Sequence, residues 1–412
     1  MKFCMVTSFF GSHSHGGDAV YTDRLSRALL RRGHQVHAVF SSSAYRILPE
    51  RPPMRSYQPP VGLVLHDLGE GVRGYASALW AHQTGGSLWF TRRLERLLHD
   101  HQYDVIHLHN ISLLGGRGLP ALLRSQAALK LATMHDYWWF CPQSLLWKYG
   151  RRVCEKPNCF SCSLLARRPP QLWRRDLWFN QTAAAMDAVL FPSRSAMQIF
   201  EARGFQHPRR YVLAGMLPEE WTGGDEPGAE PQEPYFAAAG RLVPEKGFQT
   251  LIPLMRHFSG VQLRIAGAGP AEGSLRRLAR ALPNVHFLGL LDPDQIRQLF
   301  RGARAVLVPS LFPETFGLVL AEALSLGVPV IARDLGALPE LVRASSGGLL
   351  YDNDAQLVEL LRSLAYDGGL RERLGRAARA SVPRAWFEEE HTRAYLEILS
   401  DLQSARGRKG RG

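Results

Sequence analysis

Glu314 and Glu322 lie eight residues apart in PETFGLVLAEALSLGVPVIA, the first in a proline-bearing loop and the second about a turn into an apolar helix. At ~1.5 Å rise per helical residue, this spacing sets their carboxylate heads roughly 10 Å apart on one wall. Phe316, Gly317 and Leu318 stand where the helix begins, with unpaired backbone N–H groups and the positive end of the macrodipole. Amides so placed hold a diphosphate, while the carboxylates grip hydroxyls on either side of it. A nucleotide sugar has that shape. One capping and one surface glutamate on an ordinary helix would show the same spacing, so the surrounding motifs decide.

Arg241 and Lys246 fall five residues apart in the loop after the buried strand YFAAA, and Gly247 lets the next helix start close to a ligand. Five residues apart behind a strand, the two cations read as ligand contacts rather than surface charges. Gly16 and Gly17 follow the first strand, KFCMVTSFF, in the loop where a doubly wound sheet meets phosphate. Asp18 beside them faces an acceptor or caps the helix that follows. ALKLATMHD is a strand ending in His135 and Asp136, and parallel sheets carry reactive groups beyond the carboxyl ends of their strands. Gly267, Gly269 and Pro270 form a tight turn between another strand and helix. His107 and His109 alternate onto one strand face with no third ligand nearby, so they read as satisfied histidines or cleft-edge residues rather than a zinc pair.

These residues need a particular scaffold. Residues 306 to 342 read as a buried strand (Val306 to Val308), a loop with Pro309 and Pro313, a helix to Leu326 stopped by Gly327, and a second strand (Val328 to Ile331). That is half of a parallel α/β layer. The N-terminus reads as another βαβ start, with helical spacing at Leu25, Ala28 and Leu29 and a stop at Gly33. A chain of 412 residues is too long for one core. The Pro/Gly-rich acidic stretch TGGDEPGAEPQEP marks the boundary. The expected division is a first domain over 1–215 with an insertion at about 138–180, a linker over 216–233, a second domain over 234–383, and a helix over 384–405. The basic tail SARGRKGRG is expected to be disordered.

PETFGLVLAEALSLGVPVIA, with Glu314 and Glu322 in place, resembles the Glu-x7-Glu motif of the retaining glycosyltransferases of family 4, and the flanking motifs follow the family's order over nearly the whole chain. GRLVPEKG is similar to the family's GR-x4-KG, whose Arg and Lys meet the donor diphosphate. Ala214 and Gly215 stand where the family often has Asn-Gly. The resemblance, closest to cysteine-containing members of bacterial polysaccharide type, implies the GT-B fold: α/β, with two doubly wound Rossmann-like domains facing across a cleft. It implies that Gly16, Gly17, Gly269, Phe316, Gly317 and Leu318 line the donor. It assigns Glu314 to sugar hydroxyls, Glu322 to ribose hydroxyls, and His135 to the neighbourhood of donor sugar and acceptor. Arg241 and Lys246 would stabilise the leaving diphosphate, with no catalytic metal needed. The last helix would return to the first domain.

Hydrophobic content of 45% and charge of 21% are those of a soluble globular chain, and no apolar run reaches the ~18 residues that span a bilayer. The N-terminus reads as a strand rather than a leader, so the cytoplasm is expected, with peripheral attachment to the inner membrane face. Net charge is +14 over residues 1–215 and −1 over the remainder, which gives the first domain an anionic partner: lipid, a lipid diphosphate or nucleic acid. Residues 138 to 180 interleave Trp138, Trp139, Trp147, Trp173 and Trp178 with arginines, a composition suited to headgroup depth and a lipid-linked acceptor. Cys141, Cys154, Cys159 and Cys162, at spacings of 13, 5 and 3, would supply a structural zinc, remain free or redox-active thiols, or hold an iron–sulfur cluster. The function expected is sugar transfer from a nucleoside diphosphate sugar to a glycan or lipid-linked hydroxyl in cell-envelope polysaccharide or glycoconjugate synthesis. A nucleotide-sugar epimerase or phosphorylase is the alternative. A nucleic-acid-binding protein would leave the second domain unexplained, so no nucleic-acid partner is expected.

Overall fold

The computed structural model describes residues 1–412 except 49–53, 55, 176–177, 222–232 and 410–412. Most of the expected linker falls outside the described residues. The chain divides into two units: Met1–Tyr149, Glu155–Met216 and Glu388–Gly412 form the first, and Gly150–Cys154 and Leu217–Phe387 the second.

The first unit is built on seven strands: β1 (Lys2–Val6), β2 (Gln35–Phe40), β3 (Leu63–Asp67), β4 (Val105–Leu108), β5 (Leu129–Thr133), β6 (Ala188–Phe191) and β7 (Arg210–Val212). Their order is β3-β2-β1-β4-β5-β6-β7, and every neighbouring pair is parallel. Strands β4, β5 and β6 are buried throughout, as continuous apolar runs covered on both faces must be. Helix α1 (Gly16–Arg31) buries Tyr21, Leu25, Ala28 and Leu29 and ends at Gly33, whose φ of 77° is available to glycine without a Cβ penalty. Helix α2 (Leu88–His101) opens on Ser87, whose hydroxyl accepts from the Phe90 N–H.

The C-terminal helix, Glu388–Lys409, belongs to this unit, and Tyr395, Leu399 and Leu402 sit in one core with Phe3, Met5, Leu129 and Leu131. Its last turns correct the expectation of a disordered tail. Arg406 pairs with Asp187 at 2.6 Å and donates to the carbonyls of Ala127 and Ala128. The helix is therefore anchored beyond its last apolar residue.

The insertion also departs from expectation. Trp138, Trp139 and Trp178 are buried and pack on one another, with Trp139 and Trp178 stacked at 5.7 Å. The guanidinium of Arg174 lies 4.7 Å and 4.5 Å from the Trp138 and Trp173 ring centroids. Burial pushes its pKa down to about 10. These indoles thus form a local core around an enclosed arginine and are not presented at a headgroup layer.

The second unit has six parallel strands, β8 (Tyr235–Ala239), β9 (Gln262–Ala266), β10 (Val285–Gly289), β11 (Ala305–Val308), β12 (Val330–Arg333) and β13 (Gly348–Tyr351), in the order β10-β9-β8-β11-β12-β13. Phe236, Leu263, Ile265, Leu307 and Ile331 centre its core. In both sheets the winding direction reverses beside the first strand of the unit: between β1 and β4, and between β8 and β11. Ligands of open parallel sheets bind outside the carboxyl ends of such neighbouring strands.

Candidate active site

The loops leaving β8 and β11 carry the second unit's candidate site residues, one loop on each side of the reversal. Lys246, in a 3-10 turn (Pro244–Lys246) after β8, donates from Nζ to Glu314 Oε1 at 2.7 Å. Ser310 Oγ donates to the same carboxylate oxygen. Glu314 is 9% exposed, so its charge is held by these two donors rather than by water. The loops are pinned together by the Leu311 N–H, which donates to the Glu245 carbonyl at 2.8 Å. Gly247 makes the approach possible: its φ is 77°, and a Cβ there would lie 2.0 Å from the Pro309 carbonyl oxygen. Arg241 stands at the start of the same loop as Lys246, its Nη2 3.6 Å from Glu245 Oε1.

Helix α3 (Leu318–Ser325) follows, capped by Gly317 in the left-handed region at φ 105°. Gly317 makes no side-chain cap hydrogen bond here, and the first N–H groups of a helix have no intrahelical acceptor. Glu322 lies half-buried on α3. Phe316 is buried edge-on against Trp386 at 5.7 Å, which leaves its backbone, not its ring, to meet a ligand. Gly269 sits in the loop after β9, its Cα packed so close to the Leu242 backbone that a Cβ would fall 2.4 Å from the Leu242 oxygen.

In the first unit, Gly16 and Gly17 open α1 beyond the carboxyl end of β1 and are exposed. His135 follows β5, and its Nε2 shares a hydrogen bond of 3.0 Å with Nδ1 of His109, the first residue after β4. Tyr21 from α1 lies 4.9 Å from the His135 ring and hydrogen-bonds His391 of the C-terminal helix at 2.9 Å. His107 completes the set, bonded to Tyr395 and Thr133 at 3.0 and 2.8 Å. Desolvation pushes His107, His135 and His391 down to about 3 and His109 well below its usual value. All four are neutral at pH 7, so His135 presents a dipole and a hydrogen bond, not a charge. Its neighbour Asp136 moves the other way, up to about 7, chiefly by burial and further by the Asp18 carboxylate, with the Trp138 N–H opposing at 2.8 Å. A carboxyl poised near neutrality beside a helix start can take or give a proton.

The structure brings Lys246 and Glu314 together and places Arg241 and the α3 segment on the same two loops. Sequence spacing missed Ser310, Glu245, Tyr21 and the His109 contact to His135, which arise from pairings between loops distant in sequence. The cysteines require a correction. Among the described residues, the gathering of three or more His, Cys, Asp or Glu ligand atoms within 4.8 Å is His37, His66 and His101, not Cys141, Cys154, Cys159 and Cys162. No disulfide joins the cysteines; Cys162 Sγ accepts from the Tyr149 N–H at 3.5 Å, and Cys141 and Cys159 lie in the field of Arg174.

Two doubly wound parallel units in one chain are the architecture of the GT-B glycosyltransferases. The Anabaena protein HepE, crystallised with UDP-glucose, superposes with a TM-score of 0.69 at 17% identity, covering 97% of this chain and all of that one. Residues 15–214 match the family described as Glycosyltransferase Family 4, and residues 224–381 match Glycosyl transferases group 1. The chain belongs to the glycosyltransferases of family 4. The D-inositol 3-phosphate glycosyltransferase of Xylanimonas cellulosilytica is 27% identical over 421 residues, 96% of this chain and 94% of that protein. The sulfoquinovosyl transferase SQD2 of Arabidopsis thaliana is 33% identical over 160 residues, 38% of this chain and 31% of its own length.

Proposed function

We propose that the protein moves a glycosyl group, with retention at the anomeric carbon, from a nucleoside diphosphate sugar to a hydroxyl of a glycan or lipid-linked acceptor. The observation that carries this is the Lys246–Glu314 pair at the carboxyl ends of β8 and β11. A cation in that position meets the diphosphate on which negative charge grows as the sugar departs. Arg241 and the N–H groups opening α3 share that charge, and Gly16 and Gly17 give the first unit a loop whose backbone a phosphate can approach without side-chain obstruction. Glu314 holds sugar hydroxyls and fixes the ring, Glu322 takes the ribose hydroxyls, and the neutral His135 orients the sugar through a hydrogen bond. The departing phosphate oxygen accepts the acceptor's proton.

Thermal-shift measurements against a panel of uridine and guanosine diphosphate sugars test the reading. A ligand at ~100 times its Kd adds about 2.7 kcal/mol of apparent stability. A panel that leaves the melting temperature unmoved throughout would overturn it. Product analysis with and without acceptor separates transfer from epimerisation, because transfer requires the acceptor.

A membrane-borne acceptor is supported by a different group of side chains from the tryptophans first considered. Val72, Tyr75, Leu79 and Trp80, on the helix Gly71–Thr84, are exposed at 86%, 45%, 49% and 63%. Phe160, Leu164, Leu165 and Leu172 are exposed likewise, with Arg73, Arg167 and Arg168 among them. Apolar side chains bordered by arginines are the composition of an interfacial anchor. Flotation with anionic and neutral liposomes should recover the chain with the anionic ones, and Trp80→Ser with Leu79→Ser should release it; equal recovery from both vesicle types would remove this part.

A further inference from the structure

His37, His66 and His101 come together in the first unit from three separate elements. In the β2–β3 pairing His37 stands opposite Val64, and His66 is two residues further along β3, so both project from one face of the sheet. His101 is the last residue of α2. The three rings lie 5.0, 4.9 and 5.4 Å apart between centroids, and one ligand nitrogen from each falls within 4.8 Å of the others. His66 Nε2 is 2.9 Å from His37 Nδ1.

We propose that His37, His66 and His101 form a binding site for a late first-row transition-metal dication, Zn2+ foremost, at the β2–β3 edge of the first unit. Tetrahedral zinc with Zn–N bonds of 2.0–2.1 Å separates its nitrogens by about 3.3 Å. The His37–His66 nitrogens, 2.9 Å apart, are therefore within a few tenths of an ångström of their liganded spacing, and His101 offers a third nitrogen within 4.8 Å of both. Three imidazoles leave the fourth position to water, which His66 and His101 admit because both are only half-buried. The Tyr103 hydroxyl, 2.8 Å from the same His37 Nδ1, occupies that nitrogen's lone pair in the metal-free site and must turn away when the ion binds.

Ligation breaks the hydrogen bond between His37 Nδ1 and His66 Nε2, after which each ring carries its proton on its other nitrogen and turns a lone pair to the ion. The donor set decides which ions qualify. Three imidazoles with no carboxylate among them do not suit Mg2+ and Ca2+, which need oxygen donors, and leave ions with strong imidazole affinity: Zn2+, Ni2+, Cu2+ and Co2+. The Lys2 ammonium, 5.3 Å over the Tyr103 ring and bonded to the His101 carbonyl at 2.9 Å, opposes every dication alike, so the imidazole bonds must outweigh it. The bound ion would tie the end of α2 to the sheet edge.

The test uses the full chain without a polyhistidine tag, stripped of metal and titrated with Zn2+ and with Co2+ as a spectroscopic substitute. One ion per chain is expected, with a Co2+ spectrum free of thiolate charge-transfer bands and a zinc-dependent rise in melting temperature. His66→Ala and His101→Ala, at half-exposed positions, should each weaken binding at least 10-fold and abolish the zinc-dependent rise, with metal-free melting unchanged. Cys159→Ser should bind as the wild type does. Absence of stoichiometric uptake, uptake indifferent to both histidine variants, or uptake lost in Cys159→Ser would each overturn the proposal. If metal-free His66→Ala melts early, His66→Gln, which keeps bulk and polarity without an imidazole, carries the comparison under the same two outcomes.

Discussion

Lys246 and Glu314, 68 residues apart in sequence, meet at 2.7 Å where the loops after β8 and β11 converge. The carboxylate fixes the ammonium at the mouth of the sheet, and Ser310 fixes the carboxylate. Glu314→Gln retains an acceptor for both donors but loses the charge that orders them and the stronger grip on sugar hydroxyls. We expect kcat to fall about 10²-fold, the scale of one well-aimed polar group, with the melting temperature nearly unchanged. Steady-state kinetics beside a melting curve check both halves.

Glu322→Ala should act differently. A contact to ribose hydroxyls is made equally before and during reaction, so its loss raises the donor KM with kcat almost unaltered. Hydrogen bonds to a charged group contribute roughly 1.5–3 kcal/mol, which corresponds to a rise of about 10- to 100-fold. A KM within experimental error of the wild type would remove Glu322 from the donor site.

Gly247→Ala tests the backbone beneath Lys246. The added Cβ meets the Pro309 oxygen at 2.0 Å, and φ of 77° is strained for alanine. The two loops must separate, so both the melting temperature and kcat should drop. Gly33→Ala, also at φ 77° but with nothing within 4 Å of the new Cβ, supplies the control: it should lose some stability and keep its kcat.

The buried histidines set the acid side of the stability curve. His107, His135 and His391 are held at about 3 against an ordinary 6.5, so between those values the unfolded chain binds more protons than the folded one. Stability is then fully present above pH 6.5 and is lost as pH falls towards 3. Asp136, raised to about 7, has the opposite sign and gives back part of the loss as it protonates between pH 7 and its ordinary 3.8. Melting temperature measured from pH 7.5 to 4.5 should fall, and His391→Phe should flatten the slope; an unchanged slope in that variant would contradict the assignment.

The α3 segment and the Arg241–Lys246 loop were legible because each is a local sequence following a strand, and parallel sheets put such loops at the ligand. The division into two α/β units was legible from βαβ periodicity and the Pro/Gly-rich boundary. What escaped depends on contacts between segments remote from one another. Trp138, Trp173 and Trp178 look interfacial in composition, yet Arg174 lies over their faces from within. The tail reads as basic and unstructured, yet Asp187 waits for Arg406. The cysteines have spacing suited to metal but no convergence, while His37, His66 and His101 have convergence without any spacing to announce it.

The central claim is that Lys246 stabilises the departing diphosphate. Its direct test is acceptor-dependent release of nucleoside diphosphate by the wild type and by Lys246→Ala, both at saturating donor. The account predicts a drop in kcat of about 10²-fold or more, with donor KM changed far less than in Glu322→Ala. A Lys246→Ala enzyme that turns over at the wild-type rate would contradict it.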